Sequence, residues 1–270
     1  MTVRVIVGFA TAAVIAVFAW RRALLSASGS LAAVAMGTLA VLAGVRWGVL
    51  LVVYFVAATA LSTWRHAEKS ARTASIVDKR GARDALQVFA NGAVFVLAAL
   101  VGSDAAGMWG SDFLGAAALG ALAASMADTA ATEVGGAVGA EPRSIITGQQ
   151  VAAGLSGGVT LAGSIAMLFG SAAIGTFALL LGFGGRVALA AFAGGIAGAL
   201  ADSLLGAVLQ EKRQCPACGS VTERGVHDCR GVAVSTVKTG GVRGFDNDWV
   251  NLTSTVIGAV AAGVLSLGGV

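Results

Sequence analysis

Eight long apolar runs constrain this chain more than any other feature of its sequence. A helix needs about 20 residues to cross the hydrocarbon core of a bilayer, and most of the runs are close to that length. They cover Val3–Trp20, Leu31–Val45, Trp47–Trp64, Ala85–Val101, Phe113–Ala127, Leu161–Phe183, Val187–Leu209 and Trp249–Leu267. We therefore predict an all-α, polytopic transmembrane helical bundle of about eight spans, with a long loop before the last helix.

The composition excludes a soluble helical enzyme. Only 12% of the residues are charged, whereas a soluble domain carries about 25%. The 39 glycines and the many alanines suit helices that pack closely within a bilayer. The first run lacks a strongly basic leader and is followed directly by Arg21 and Arg22, so we interpret it as a retained span rather than a signal peptide.

The cations orient the spans. If the spans alternate, every Lys and Arg except Arg4, Arg46 and Arg186 falls on the side of the Arg65–Asp84 segment, and the positive-inside rule makes that side cytosolic. Residues 151–183 are long enough for two short helices. A second crossing would move the basic loop outside, so a single span preceded by a cytosolic or re-entrant stretch is preferred.

The predicted organisation follows from this topology. N-terminal transmembrane helices occupy residues 1–64, a basic cytosolic segment 65–84, core helices 85–210, a cytosolic loop 211–248 and the last transmembrane helix 249–270. Within the core, the Gly-rich stretch 128–163 is predicted to be cytosolic or re-entrant. We expect an integral protein of the bacterial or archaeal cytoplasmic membrane whose basic side meets anionic lipid headgroups. Nucleic acid is not expected as a partner, since there is no basic-aromatic surface module.

Polar residues continue from the basic segment into the fourth run. Ionisable residues within or at the edge of membrane helices are costly and usually functional. Arg83, Gln87 and Asn91 are spaced i, i+4 and i+8, so they form one stripe on a helix. The alternative is that the stripe serves only interhelical hydrogen bonding.

Two further clusters place carboxylates at predicted cytosolic helix ends. Asp128 and Glu133 would reach one cation if their helix ended or unwound near Gly135-Gly136, and helix capping is the alternative. Asp202 lies within a stripe of glycines that lets another backbone or a phosphate approach it. A buried carboxylate must find a cation, a proton or a partner.

The end of the long loop is dense in oxygen ligands. Asp246, Asp248 and Asn251 lie at the start of the last helix, and one of the two acids is expected to cap that helix. Carboxylates at this density also suit Mg²⁺. Lys238 and Arg243 are placed to hold phosphate oxygens nearby.

A Gly-rich segment lies between the second and third clusters. It contains Arg143 and Thr147, followed by Gly157 and Gly158. It is not a Walker A loop, because it has no Gly-Lys-Ser/Thr. Its backbone N–H groups are nevertheless suited to cradle phosphate.

All three cysteines lie in the long loop, together with one of the two histidines. Cys215, Cys218, His227 and Cys229 follow the pattern Cys-x2-Cys-x8-His-x-Cys, which supplies the ligands of a Cys₃His zinc site. The reducing cytosol argues against disulfides. The sequence thus predicts a small zinc knuckle, with ordinary loop thiols as the alternative.

A series of ordered motifs, from about Arg83 to Ala259, resembles the family known as domain-of-unknown-function 92. That family includes transmembrane protein 19 and the plant phytyl-phosphate kinase. The motifs are Gln87–Gly92, Ala127-Asp128-Thr129 with Glu133-Val134-Gly135, Pro142-Arg143 with Ile146-Thr147, Gly157-Gly158-Val159, Asp202–Ala207 with Gln210, and Asp246-Asn247-Asp248 with Val250-Asn251. The family is also distantly similar to CTP-dependent polyprenol kinases and phosphatidate cytidylyltransferases.

The resemblance implies a nucleotide and Mg²⁺. The function expected from it is an integral membrane, Mg²⁺-dependent phosphotransferase that acts on an isoprenyl monophosphate of the phytyl or geranylgeranyl type, with CTP as donor. The alternatives are a lipid-phosphate cytidylyltransferase and, from a different class, an ion-coupled transporter or lipid flippase. Homodimerisation is left open.

The expected roles divide the candidate residues into two groups. The catalytic acids are Asp128, Glu133, Asp202, Asp246 and Asp248, of which all but Glu133 are assigned to Mg²⁺. Phosphate and nucleotide binding is assigned to Arg83, Asn91, Arg143, Thr147, Gly157, Gly158, Lys238, Arg243 and Asn251. A transporter site should lie near the bilayer centre, whereas these acids cluster at predicted cytosolic helix ends.

Overall fold

A computed structural model describes residues 2–79, 81–104 and 111–268 of the chain. Arg80, one of the cations of the basic segment, lies outside the described residues. Seven of the described helices are long and apolar enough to cross a membrane. The helices are α1 (Thr2–Arg21), α2 (Ala27–Ala43), α3 (Val45–Thr63), α4 (His66–Thr73), α5 (Ala85–Asp104), α6 (Ser111–Val138), α7 (Leu161–Leu180), α8 (Gly185–Val208) and α9 (Asn247–Leu267).

The predicted all-α polytopic bundle is confirmed. The one apolar run that forms a shorter helix is α2, with 17 residues, so seven long spans and one short apolar helix replace the eight similar spans expected. The remaining helix, α4, is short and polar. Ser26 is the N-cap of α2. Its side chain accepts a hydrogen bond from the backbone N–H of Gly29, as an N-cap serine usually does.

Helix α6 is the centre of the bundle. It packs against α5, α7, α8 and α9, and 78% of its most apolar stretch is buried. A Cβ atom on Gly198 of α8 would lie 2.4 Å from the Cβ of Ala124 on α6. The glycine stripe beside Asp202 therefore serves close helix packing, as small residues do in membrane bundles.

The first part of the Gly-rich stretch 128–163 is helical. Helix α6 continues through Gly135-Gly136 without unwinding and ends two residues later, at Val138. Gly135 instead gives room to the beginning of α7, since a Cβ there would lie 2.8 Å from Thr160 Oγ1. The non-helical part begins at Gly139 and leads into the single helix α7.

Short strands form the connections on one side of the bundle. They were not predicted, because strands of two to four residues leave little pattern in a sequence. A two-stranded ladder joins β1 (Arg143–Ser144) to β2 (Gly158–Val159). The loop between α8 and α9 contains β3 (Lys212–Gln214), β4 (Val221–Thr222), β5 (Val226–Cys229), β6 (Val232–Ser235) and β7 (Val237–Gly240). They form a three-stranded sheet of order β4-β3-β7 and a β5-β6 hairpin.

The connections that carry most of the cations meet at one end of the bundle, which we call the basic face. The turn after α1 bonds to the basic segment, because Ser26 N donates to Arg83 O at 3.0 Å. The loop before α9 joins the same segment through Arg224, which donates to Ala74 O. At the opposite end, Arg186 pairs with Asp112 at 2.7 Å.

Helix α4 lies at the basic face, where its side chains bond to the C-terminal ends of α3 and α6. Lys69 Nζ donates to Leu61 O at 2.8 Å and to Ser62 O at 3.1 Å at the end of α3. Arg72 donates to Gly136 O and Gly139 O at the end of α6, both at 2.9 Å. The last carbonyls of a helix have no partner within it and carry partial negative charge, so these two cations stabilise both helix ends.

Candidate functional site

An amphipathic cavity of about 340 Å³ opens between the N-terminal helices and the core helices. Its apolar part is lined by α1, α2 and α3, with Ile15, Met36, Leu51, Val52 and Phe55 among the lining residues. Its polar part lies towards the basic face. There the cavity is lined by Lys79, Arg83, Gln87, Asn91, Asp128, Thr129, Thr132, Glu133, Asn247 and Asn251.

Asp128 and Asp202 bring two acids together from separate helices. Asp128, on α6, and Asp202, on α8, lie close enough for their carboxyl groups to interact, and Ser254 of α9 lies beside Asp202. Asp202 Oδ2 is buried and has no hydrogen-bond partner among the described residues. Two carboxylates this close repel each other unless a cation or a proton lies between them.

Lys79 joins Asp84 and Asp248 at the mouth of the cavity. Its Nζ lies 3.0 Å from Asp84 Oδ2 and also donates to Asp248 Oδ2. Burial alone would lower the pKa of Lys79, but the hydrogen bonds from its ammonium to Asp248 and Asp84 outweigh it and raise that pKa above 10.5. The second oxygen of Asp248, Oδ1, is buried without a hydrogen-bond partner among the described residues.

The polar stripe of α5 forms one wall of the polar part. Arg83 donates to Ser62 Oγ at 2.8 Å, which fixes the guanidinium against the end of α3. Asn91 Nδ2 donates to Gln87 O at 2.9 Å, so its side-chain oxygen is the group available to the cavity. The interhelical role is present as well, because Ser125 of α6 donates to Asn91 O at 2.8 Å.

Glu133 is held by a cation that the sequence did not single out for this site. Lys69, only 7% exposed, forms an ion pair with Glu133 as well as its bonds to the end of α3. Glu133 thus lines the cavity with one oxygen already paired. The ion pair ties α4 to α6 and sets the edge of the polar part.

Nine of the predicted site residues do not line the cavity. Two of them, Asp202 and Asp248, adjoin it through the lining residues Asp128 and Lys79, and the other seven lie elsewhere. Asp246 caps α9, accepting from Asp248 N at 3.0 Å and Trp249 N at 3.3 Å. The sequence predicted that either Asp246 or Asp248 caps this helix, and the cap is Asp246. Arg143 donates to Gly148 O in an exposed turn that also contains Thr147.

The other four belong to the same outer connections. Gly157 has a φ of +84°, and a Cβ there would lie 2.5 Å from the Cβ of Ala207, so close packing onto α8 accounts for it. Gly158 packs beside Pro142. Lys238 lies near Glu211 on the loop, and Arg243 is exposed.

The predicted metal ligands of the loop converge. The potential ligand atoms of Cys215, Cys218, His227 and Cys229 all lie within 4.8 Å of one another. This cluster is on the loop between α8 and α9, apart from the residues that line the cavity. It forms a second candidate site.

Comparison with known proteins identifies the chain. The family described as integral membrane protein DUF92 matches residues 10–259. The chain belongs to the DUF92 family. The resemblance deduced from the ordered motifs is thereby confirmed.

Two proteins illustrate the range of similarity to this chain. Protein PGR of Arabidopsis thaliana is 28% identical over 98% of this chain and 96% of its own length. The uncharacterized membrane protein MJ0933 of Methanocaldococcus jannaschii is 35% identical over 130 residues, and this match spans 48% of the chain and 52% of that protein. No solved structure matches the chain.

Sequence reasoning missed several residues of this DUF92 site. Lys69, Lys79 and Asp84 were treated as part of a basic segment that orients the spans, and Thr129 was not given a role. A signal was available for Asp84, which directly precedes the polar stripe of α5. No sequence signal distinguishes Lys79 from the other lysines, because its pairing depends on α9, 169 positions away.

Proposed function

We propose that this protein is a Mg²⁺-dependent phosphotransferase that acts on an isoprenyl monophosphate, of the phytyl or geranylgeranyl type, with CTP as phosphoryl donor. The observation that carries the proposal is the amphipathic cavity. It joins an apolar compartment between membrane helices to a polar compartment with paired acids and fixed cations. A phosphorylated lipid has the same division between tail and headgroup.

The apolar part fits a hydrocarbon tail. Its lining residues come mainly from α1, α2 and α3. The small residues Gly8, Ala12 and Gly37 also line it, at the place where α1 and α2 pack closely, since a Cβ on Gly37 would lie 2.8 Å from the Cβ of Ala12. Burial of each methylene group contributes about 0.8 kcal/mol. The binding free energy of a prenyl chain in this compartment would therefore increase with the length of the chain.

The polar part fits a phosphate and a divalent cation. Arg83 and Lys79 supply positive charge, and the side chains of Asn91 and Asn251 supply further polar groups. The donor set for Mg²⁺ is all oxygen, as this ion requires. The buried oxygens Asp202 Oδ2 and Asp248 Oδ1, which have no partner among the described residues, support the fit, because a carboxylate oxygen in that state is stabilised by a cation.

In this proposal, Asp128 and Asp202 hold the metal ion, and Asp248 orients Lys79 towards the phosphates. Mg²⁺ supplies neutralisation of the phosphate charge. An oxygen of the lipid monophosphate attacks the γ-phosphorus of CTP, the bond from that phosphorus to the bridging oxygen breaks, and CDP leaves. The attacking oxygen is already anionic, so no strong general base is needed.

The positive-inside rule supports a cytosolic location for the basic face. Both the polar end of the cavity and the described cations of the basic segment lie at that face. Soluble CTP would therefore reach the site from the cytosol, while the lipid enters from the bilayer.

A cytidylyltransferase is the second candidate, because the same acids, cations and lipid compartment serve attack at the α-phosphorus equally well. For transport, a site near the bilayer centre is expected. Asn251 lies four residues and Asp202 six residues from a helix end at the basic face, or about 6–9 Å at 1.5 Å per residue. This position favours chemistry at the membrane surface over a midplane ion site.

The two enzymatic candidates are separated by the position of the label in CTP. Purified protein is incubated with Mg²⁺, geranylgeranyl or phytyl monophosphate, and CTP labelled at either the γ- or the α-phosphate. Transfer of the γ-label to a lipid diphosphate supports the kinase, whereas transfer of the α-label with release of pyrophosphate supports the cytidylyltransferase. If neither label reaches the lipid in a correctly folded preparation, the enzymatic proposal is wrong. If transfer occurs but Asp202→Asn matches the wild type, the proposed site is wrong.

A further inference from the structure

The loop between α8 and α9 folds without an apolar core of its own. Between Glu211 and Asp246, the buried residues are Cys215, Thr222, His227 and Thr236. Four of the five valines of its strands are exposed, with 62% exposure for Val232 and 58% for Val237, and Val234 is half-buried. A unit this small cannot bury enough apolar surface to be stable alone, and small units of this kind are commonly held by a metal or disulfides.

The four ligand residues lie on two neighbouring elements, the turn between β3 and β4 and the strand β5. Cys215 follows β3 and Cys218 lies in the turn to β4, where Cys215 N donates to Ser220 O and Gly219 N donates to Cys215 O. His227 and Cys229 alternate along β5, so their side chains leave the same face of that strand. Asp228, between them, instead accepts a hydrogen bond from Gly231 N at 2.8 Å.

The spacing of the ligand atoms suits zinc. In a tetrahedral site with Zn–S of about 2.3 Å and Zn–N of about 2.0 Å, the ligand atoms lie roughly 3.5–3.8 Å apart. Cys218 Sγ and His227 Nδ1 are separated by 3.9 Å, and the four ligand atoms lie within 4.8 Å of one another. Small side-chain movements bring them to zinc-ligand distances.

The residues between the Cys215/Cys218 pair and the His227/Cys229 pair form hydrogen bonds with the basic segment. Thr222 Oγ1 donates to Ser75 O at 2.8 Å, and Glu223 N donates to Ile76 O at 3.0 Å. Arg224 donates to Ala74 O at 3.2 Å. This part of the segment lies only three residues before Lys79, the cation at the mouth of the cavity.

We infer that Cys215, Cys218, His227 and Cys229 bind a structural Zn²⁺ that fixes residues 222–224 against the Ala74–Ile76 backbone and thereby positions Lys79. The zinc ion lies outside the proposed reaction site. Its binding does not depend on the identity of the substrate or on whether the protein is an enzyme.

The first experiment measures zinc in protein purified without chelators. The expected content is about one zinc per chain. His227→Ala should lower this content about ten-fold. The control, His66→Ala, changes the exposed histidine outside the cluster and should leave the zinc content unchanged. His227→Cys restores a four-ligand site and retains the metal. Substitution with Co²⁺ gives thiolate-to-cobalt charge-transfer absorption. Zinc far below one per chain in the folded wild type, or a Cys215–Cys218 disulfide in reduced buffer, overturns the inference.

The second experiment tests the bracing of the basic segment. Hydrogen exchange is compared for the wild type before and after zinc removal by a chelator, so that the test does not depend on a variant that folds. Residues 74–79 and the loop are expected to exchange at least about ten-fold faster without zinc, while α6 keeps its protection. If the zinc is removed and exchange at 74–79 is unchanged, the metal does not position Lys79.

Discussion

Lys79 and Asp248 form an ion pair that joins the basic segment to the beginning of the last helix, across 169 positions of sequence. The pair lies at the mouth of the amphipathic cavity, with Asp84 as a second acid on the same lysine. It connects two parts of the chain that were assigned different roles from sequence: one as an orientation signal and the other as a metal site.

Replacing Lys79 by Met should therefore destabilise the fold as well as weaken phosphate binding. The pair is partly exposed, with 33% exposure for the lysine side chain and 10% for that of the aspartate. The expected loss lies between the values for surface and buried pairs, at about 1–2 kcal/mol. Unfolding in detergent measures it. In a double-mutant cycle with Asp248→Asn, a coupling near zero would contradict the pairing.

Asp202→Asn should abolish transferase activity while preserving the fold. Neutralising one of the two adjacent acids removes a proposed metal ligand and, at the same time, relieves their repulsion. We expect a loss of at least about 100-fold in kcat/KM with no fall in thermal stability. The matched control is Asp112→Asn, which removes an exposed acid at the opposite end of the bundle and should leave activity intact.

Reducing the volume of the apolar part of the cavity should change which lipid substrates the protein accepts. Val52→Trp places an indole in the apolar part of the cavity, so we expect activity with geranylgeranyl monophosphate to fall more than activity with a shorter prenyl monophosphate. Val56→Trp is the control, because Val56 lies one turn further along α3 and does not line this cavity. Equal effects of the two variants on both substrates would place the lipid elsewhere.

Lys69→Ala should be one of the most damaging single substitutions at the basic face. It leaves Glu133 without its cation and the last carbonyls of α3 without a donor, so we expect a loss of about 3 kcal/mol. Equilibrium unfolding provides the measurement. Arg65→Ala removes an exposed pair with Glu68, and no measurable change is expected for this control.

The contribution of Asp84 should be lost only in acid. Its burial alone would raise its pKa, but hydrogen bonds from Gln87 N and the Lys79 ammonium outweigh burial and lower the pKa below 3.8. A carboxyl whose pKa is lowered on folding stabilises the protein above its unfolded pKa and stops doing so as the pH falls through its folded pKa.

The difference in melting temperature between wild type and Asp84→Asn is therefore expected to be constant from about pH 5 to 8. It should shrink only below about pH 4. Melting curves across this range provide the measurement. A difference that already disappears near neutral pH would mean that Asp84 is not held by Lys79.

The sequence by itself determined the architecture and the chemical inventory. The apolar runs predicted the membrane helices because crossing a bilayer depends on length and hydrophobicity, which are local properties. The Cys₃His spacing predicted a cluster within one short loop for the same reason. The polar stripe of Arg83, Gln87 and Asn91 was readable because one helix fixes the relative positions of its residues.

Only the tertiary structure decided which acids and cations share a site. Asp128 and Asp202 meet because small residues on α6 and α8 allow close packing, and the pairing of Lys79 with Asp248 depends on where the basic segment crosses the end of α9. Asp246 became a helix cap and Gly157 a packing contact for equally non-local reasons. Such relationships depend on the packing of distant elements, which the pattern within a single helix or loop does not contain.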